Sequence, residues 1–260
     1  MPVADLNGTH IKYECEGDES LPILILSNSL TTNMHVWDEQ VAEFAKFFRV
    51  LRYDNRGHGG SSSPEGEYNI DDIGGDLLSL MNYLGIEKAN LCGISLGGMV
   101  GMWMGINQPQ RLEKLVICNT SSNLSPPAPW QDRINTVKAR GMSSIIDAGL
   151  QRFLSDSFRK IGSPKINLLK EMMNSCDVPG YVGCCAAVRD LNLDTQLQKI
   201  KLPTLIIAGE FDPSTPVSHS ELINKEIEES RMLVINGVAH LSNIEAPEEF
   251  NKNVLDFLLN

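Results

Sequence analysis

Ser95 stands in Leu91-Cys92-Gly93-Ile94-Ser95-Leu96-Gly97-Gly98, between an apolar, β-prone run from Ala89 to Cys92 and an apolar helical pattern that follows from Met99. A serine on so sharp a strand-to-helix turn takes a backbone conformation for which its glycine neighbours must make room. Its hydroxyl is lifted above the sheet, and the amide of Leu96 is free to face a substrate oxygen. That is the chemistry of nucleophilic attack on a carbonyl. The bare pattern is common: three fixed Gly and Ser positions coincide by chance in about one chain in ten of this size. Its weight depends on partners.

A serine hydroxyl needs a base within hydrogen-bond reach, and that base needs an acid to hold its tautomer. Asp212 follows the apolar run Leu205-Ile206-Ile207-Ala208 in the turn Gly209-Glu210-Phe211-Asp212-Pro213. His240 follows Leu233-Val234-Ile235 and the loop Asn236-Gly237-Val238-Ala239. Both are positions for loops at the C-terminal ends of strands, and the order serine, acid, histidine sets one class of serine hydrolase apart from others. The competing residues have plainer readings. His10 lies on an edge strand and His219 near a helix start, both facing solvent, while His35 opens a helix near the rim of the site. His58, in Arg56-Gly57-His58-Gly59, reads as loop structure, and Asp190 and Asp194 close a helical stretch instead of following a strand. A second oxyanion donor belongs in the loop after the early buried strand. There Leu26-Ser27-Asn28-Ser29-Leu30 makes the Leu30 backbone amide the partner of the Leu96 amide.

Strands and helices must alternate to bring these residues together. His10 to Glu16 alternates as an edge strand, and Leu21 to Leu26 is a continuous apolar run, as in a strand buried on both faces. Trp37, Val41, Phe44, Ala45 and Phe48 recur at helical spacing, Phe48 to Tyr53 reads as a strand, and Asp54 to Pro64 reads as a loop. Ile70, Ile73, Leu77, Leu80, Met81 and Leu84 form an amphipathic stripe, and Leu115 to Cys118 begins the strand after the serine unit. This alternation predicts an α/β fold, a mostly parallel sheet with helices on both faces. After Asn119 the rhythm breaks. From Trp130 to about Leu191 the pattern is helical throughout, with breaks at Gly141, Ser163-Pro164 and Pro179-Gly180. Strand character returns at Pro203 to Ala208 and Met232 to Ile235, before a closing helix with Phe250, Val254, Phe257 and Leu258. The expected organisation is a sheet domain over 1–122 and 196–260, interrupted by an all-helical cap over 123–195.

Composition excludes several classes of function. The 260 residues are 42% hydrophobic and 21% charged, ordinary for a globular protein. A formal net charge of -11 argues against nucleic acid, which calls for a basic patch. No apolar run approaches the roughly 18 residues that span a bilayer, so no membrane is expected. Met1-Pro2-Val3-Ala4-Asp5 lacks a basic segment with an apolar core behind it, so a cytoplasmic protein is the default. The six cysteines show no C-x-x-C spacing, and the five histidines show no metal-ligand spacing. No disulfide framework or metal is expected, and Cys92 and Cys118 read as small buried hydrophobes.

At this point the residues resemble the α/β-hydrolases, and within them the 3-oxoadipate enol-lactonases of aromatic-compound catabolism. The matching stretches include Leu26 to Leu30, Leu51-Arg52-Tyr53-Asp54 with Arg56-Gly57-His58-Gly59, and Cys92 to Gly101. Further matches are Cys118-Asn119-Thr120-Ser121, Gly180-Tyr181 with Cys184-Cys185-Ala186-Ala187, Asp212-Pro213, and Ala239-His240-Leu241-Ser242-Asn243-Ile244-Glu245. Ser-Asn-Ser-Leu discriminates most, since most relatives carry His-Gly there. Thr31 departs from the usual glycine and Asn55 from a common threonine. The resemblance implies an α/β-hydrolase fold with a helical cap, a Ser95–His240–Asp212 triad and hydrolysis of 3-oxoadipate enol-lactone to 3-oxoadipate with no cofactor.

Such a substrate is a small lactone bearing a carboxylate, which the net charge would repel, so a local cation is expected. Arg133 at the start of the helical stretch is the candidate, with Trp130 as an apolar wall; the plainer readings are a solvated arginine and a buried cap residue. Two rivals remain. The same triad serves other esters, lactones or carbon–carbon bonds, and a ligand receptor keeps such a fold while signalling through its lid. No partner surface is read from the sequence.

Overall fold

Runs that are apolar at every position must be covered on both faces, and here they form the middle of one sheet. The protein is described by a computed structural model over residues 2–6 and 8–260; Met1, part of the opening segment read for a leader, lies outside the described residues. The strands are β1 (Val3–Asp5), β2 (His10–Glu16), β3 (Ile23–Ser27), β4 (Arg49–Tyr53), β5 (Ala89–Ile94), β6 (Leu112–Cys118), β7 (Thr204–Gly209) and β8 (Ser230–Ile235). They lie in the order β1-β2-β4-β3-β5-β6-β7-β8. β2 pairs antiparallel with β1 and β4, and every other pairing is parallel. β5 and β7 are buried at all six of their positions, as the continuous apolar runs require.

The helices are α1 (Asp38–Phe44), α2 (Ile70–Tyr83), α3 (Leu96–Asn107), α4 (Ala128–Arg140), α5 (Ile146–Phe153), α6 (Asp156–Ile161), α7 (Lys165–Ser175), α8 (Val178–Arg189), α9 (Val217–Glu226), α10 (Ser242–Glu245) and α11 (Pro247–Leu259). α2 begins at a capping box, in which the Asn69 side chain accepts from the Asp72 N–H and the Asp72 carboxylate accepts from the Asn69 N–H. Its predicted stripe is the buried face: Ile73, Leu77, Leu80 and Met81 all pack inward. Each such side chain contributes about 1.5–3 kcal/mol by leaving water. α3 is apolar all round and is buried at every position but its last, as a helix enclosed on all sides must be. Two apolar clusters result. One holds α2, α3 and α8, and the other holds α1, α11 and the Trp37 side chain.

The structure differs from the sequence reading in a few places, each with a local cause. His10 does not lie on an edge strand: β1 pairs with β2, and three residues are too few to show a period. The turn Met34–Trp37 is 3-10, and α1 ends at Phe44, so Ala45 and Phe48 lie beyond the helix while Phe48 still packs with it. α3 begins at Leu96 and not Met99. The pair Pro179-Gly180 does not break a helix; it lies in the first turn of α8, where proline's missing N–H costs nothing. α4 to α8 lie between β6 and β7 and fold over the C-terminal ends of the strands. There the backbones of Gly57 and Gly180 touch: a Cβ on Gly57 would sit 2.4 Å from the Gly180 Cα.

Candidate active site

Parallel strands deliver their following loops to one edge of the sheet. Leu26 pairs with Cys92, Ser27 with Gly93, and Ile94 with Cys118, so the ends of β3, β5 and β6 are level. The chain that follows β3, β5, β6, β7 and β8 carries, in spatial order, Leu30, Ser95, Asn119, Asp212 and His240.

Ser95 sits at φ 56°, ψ −114°, a strained conformation for a residue with a Cβ. The turn is crowded as the motif implies. A Cβ on Gly93 would lie 2.1 Å from the Gly97 carbonyl oxygen, and one on Gly97 would lie 2.0 Å from that of Ser27. The Ser95 N–H donates to Cys118 O at 2.9 Å and the Thr120 hydroxyl donates to Ser95 O at 2.7 Å, so neighbouring β6 holds the strain in place.

His240 Nδ1 lies 2.7 Å from Asp212 Oδ2, with both side chains almost wholly buried. The other lone pairs of Asp212 are also occupied. Oδ1 accepts from the N–H groups of Ser214 (2.8 Å) and Thr215 (3.0 Å), and Oδ2 accepts from Thr215 Oγ1 (2.7 Å) and Asn119 Nδ2 (3.1 Å). Burial alone would raise the Asp212 carboxyl, but the His240 charge and the bonds from His240 and Thr215 outweigh it and hold it below the usual value. Phe153 of α5 stacks on the imidazole with centroids 5.5 Å apart. Asn119 also donates to Ala239 O and accepts from the Ser242 hydroxyl, tying the acid and base loops together.

The loop after β3 is held by Asn28. Its amide nitrogen donates to Tyr53 O at 2.6 Å, and its oxygen accepts from Trp37 Nε1 at 2.9 Å. Thr31 follows at φ 68°, unusual for a β-branched residue, which explains why a glycine suits this place. His58 fixes it: Nε2 accepts from the Thr31 N–H at 2.9 Å, and Nδ1–H donates to Arg56 O at 3.0 Å. Burial holds this imidazole's pKa below the usual value, so His58 is the neutral prop of the loop. Among the described residues the N–H groups of Leu30 and Leu96 donate to no protein acceptor. Both residues line the same cavity, Leu96 at the N-terminus of α3, so their amides are candidates to take a developing oxyanion.

That cavity, of about 300 Å³, is lined by Ser95 and His240 below and by α4, α5 and α8 above. Trp130 and Arg133 both line it, with the guanidinium 4.3 Å from the centre of the indole ring. The other candidates lie elsewhere. His35 pairs with Asp38 at 3.2 Å, His219 is half-buried in the first turn of α9, Asp190 pairs with Arg189, and Asp194 accepts from Ser122 and Asn123. Among the described residues no three His, Cys, Asp or Glu side chains converge as metal ligands, and no helix is long and apolar enough to cross a membrane. All six cysteines are free, and Cys92 and Cys118 are fully buried.

Sequence reasoning missed Asn119, Thr215, Arg152 and Glu245. Arg152 lines the cavity from the last turn of α5. The Glu245 carboxylate accepts from Ala239 N–H at 2.8 Å, beside the imidazole, and from the Ser155 N–H at 3.1 Å and the Ser155 hydroxyl, at the start of α6. Removing it strands those buried donors, at about 3 kcal/mol. Glu245→Ala is expected to melt roughly 6–12 °C lower and to lose kcat. A melting curve that overlays the parent's would refute the bridging role.

A family model described as the alpha/beta hydrolase fold matches residues 22–160, and one described as TAP-like protein matches 179–260. 3-Oxoadipate enol-lactonase 2 of Acinetobacter baylyi is 35% identical over 94% of this chain and 91% of its own length. The crystal structure of the enol-lactonase from Burkholderia xenovorans LB400 superposes with a TM-score of 0.97 at 34% identity, covering 100% of both chains. A protein of Agrobacterium fabrum that carries the name of a carbamate hydrolase is 26% identical over 96% of this chain and 98% of its own.

Proposed function

The chain belongs to the α/β-hydrolase family and is a hydrolytic enzyme, and from that premise we propose that it opens 3-oxoadipate enol-lactone to 3-oxoadipate. The observation that carries this reading is one cavity with Ser95 and His240 on one wall and, on another, the Arg133 guanidinium with no carboxylate partner among the described residues. The first groups suit an acyl carbon, the last a carboxylate.

His240 Nε2 takes the proton as Ser95 Oγ attacks the lactone carbonyl, and Asp212 holds the imidazole in the Nδ1–H tautomer. The Leu30 and Leu96 amides receive the charge on the carbonyl oxygen. The ring carbon–oxygen bond then breaks, the ring oxygen takes the proton from His240 and leaves as an enol, and the enol becomes a ketone. Water, deprotonated by His240, cleaves the acyl-enzyme and frees Ser95. The helices over 123–195 serve as the cap over this chemistry. Trp130 supplies an apolar wall, and the planar fork of Arg133 suits the substrate carboxylate.

The direct test is steady-state hydrolysis of the enol-lactone beside a simple carbamate and a neutral aryl ester. Absence of lactone turnover overturns the assignment, and preference for the carbamate moves it to the other relative's substrate class. For Arg133→Ala, KM for the anionic lactone is expected to rise roughly 10- to 100-fold, the worth of one charge-assisted hydrogen bond. The neutral ester is expected to lose far less. Equal losses on both count against carboxylate recognition.

A further inference from the structure

The notable feature of the cavity is an imbalance of charge. The sequence has 33 acidic and 22 basic residues, yet two arginines, Arg133 and Arg152, line this cavity and no aspartate or glutamate does. Among the described residues neither guanidinium has an ion-pair or hydrogen-bond partner in the protein. Elsewhere the buried arginines are fully engaged: Arg52 holds Glu14, Glu16 and Asp38, and Arg56 grips Asp76 through two nitrogens. Half-burying two like charges near each other is unfavourable unless an anion joins them. Burial, and after it the nearby Arg133 charge, pushes Arg152 down to about 10. The stacking of Arg133 on Trp130 occupies the face of the guanidinium and leaves its edge N–H groups free, which is the edge that meets a carboxylate.

We propose that Arg133 and Arg152 form one anion subsite carried by α4 and α5, and that with the Leu30 and Leu96 amides at the opposite end the cavity is a two-ended site for a linear dicarboxylate. This deepens the proposed lactonase reading and rests on it for the ligand's identity. The lactone carries one carboxylate. Hydrolysis adds water across the acyl–oxygen bond, releases one proton, and creates a second carboxylate at the Ser95 end. The ring-opened dianion therefore presents a full negative charge to the donors at both ends, whereas the lactone presents one only to the arginines and a neutral carbonyl to the amides. Unreactive dicarboxylates of similar length become ligands and competitive inhibitors.

The experiment is calorimetric titration of the wild type, Arg152→Gln and Arg152→Lys with adipate, with hexanoate and with neutral adipamide, alongside adipate competition against a neutral ester. Adipate is expected to bind wild type at least tenfold more tightly than hexanoate, with adipamide weakest. Arg152→Gln is expected to weaken adipate at least tenfold, and Arg152→Lys to recover part of that. Adipate binding to Arg152→Gln as it does to wild type overturns the subsite. Equal binding of adipate and hexanoate overturns the two-ended site. No titration contains lactone, so the two readings fail separately. An enzyme that hydrolyses the lactone yet ignores adipate overturns only this proposal, and one that binds adipate without hydrolysing the lactone overturns only the proposed reaction.

Discussion

Ser95→Ala is expected to lower kcat for lactone hydrolysis by about a million-fold, the scale on which a nucleophile supports a Ser-His-Asp enzyme. With no hydroxyl there is no acyl-enzyme, and what remains is attack by unassisted water beneath the two amides. Binding should survive, because the alanine removes one oxygen and leaves Leu30, Leu96 and Arg133 in place. Stability should survive as well: alanine keeps the Cβ, so the strain at φ 56° is unchanged. Rapid-quench mass spectrometry should find an acyl adduct on wild type and none on the variant. Retained turnover in Ser95→Ala would remove Ser95 from the nucleophile's role.

Asp212→Asn carries the next largest effect, roughly a 10,000-fold loss in kcat with KM little changed. The side-chain oxygen of asparagine can keep the Ser214 and Thr215 N–H groups, which places its NH₂ against His240 Nδ1. The imidazole must then accept at Nδ1, leaving Nε2–H toward Ser95, a donor where an acceptor is needed. The same NH₂ also confronts the donor Asn119 Nδ2. The sign of the pH effect follows from the lowered Asp212 carboxyl. A depressed acid contributes stability that is fully present above its unfolded value, near 3.9, and is lost as pH falls through the lower folded value. The acid limb of the wild-type unfolding profile should flatten in Asp212→Asn. An unchanged limb, or a variant with near-parent kcat, would contradict the role given to this carboxylate.

The juxtaposition of Asp212 and His240 was legible because each follows an apolar run that reads as a strand, and neighbouring parallel strands end at one edge of the sheet. The Leu30 loop was legible for the same reason. Arg152 was not: on an amphipathic helix an arginine facing a cavity and one facing water have the same spacing, and only the fold of α5 over the site separates them. Asn119 was hidden in plain view, a polar residue at a strand's end that reads as the start of any loop. β1 is too short to show alternation, and Pro179 misled because proline starts a helix as readily as it stops one.

Glu245 has a consequence for how substrates are told apart. One carboxylate accepts from Ala239, next to the imidazole, and from Ser155, two residues beyond Phe153 on the strand of chain that leaves α5. Linkage is reciprocal: a ligand that favours one arrangement of α5 biases the imidazole by the same free energy with which the imidazole biases α5. Discrimination through this carboxylate is then read in binding constants, where that reciprocity holds. An ester with no charge to offer α5 gives nothing to that linkage.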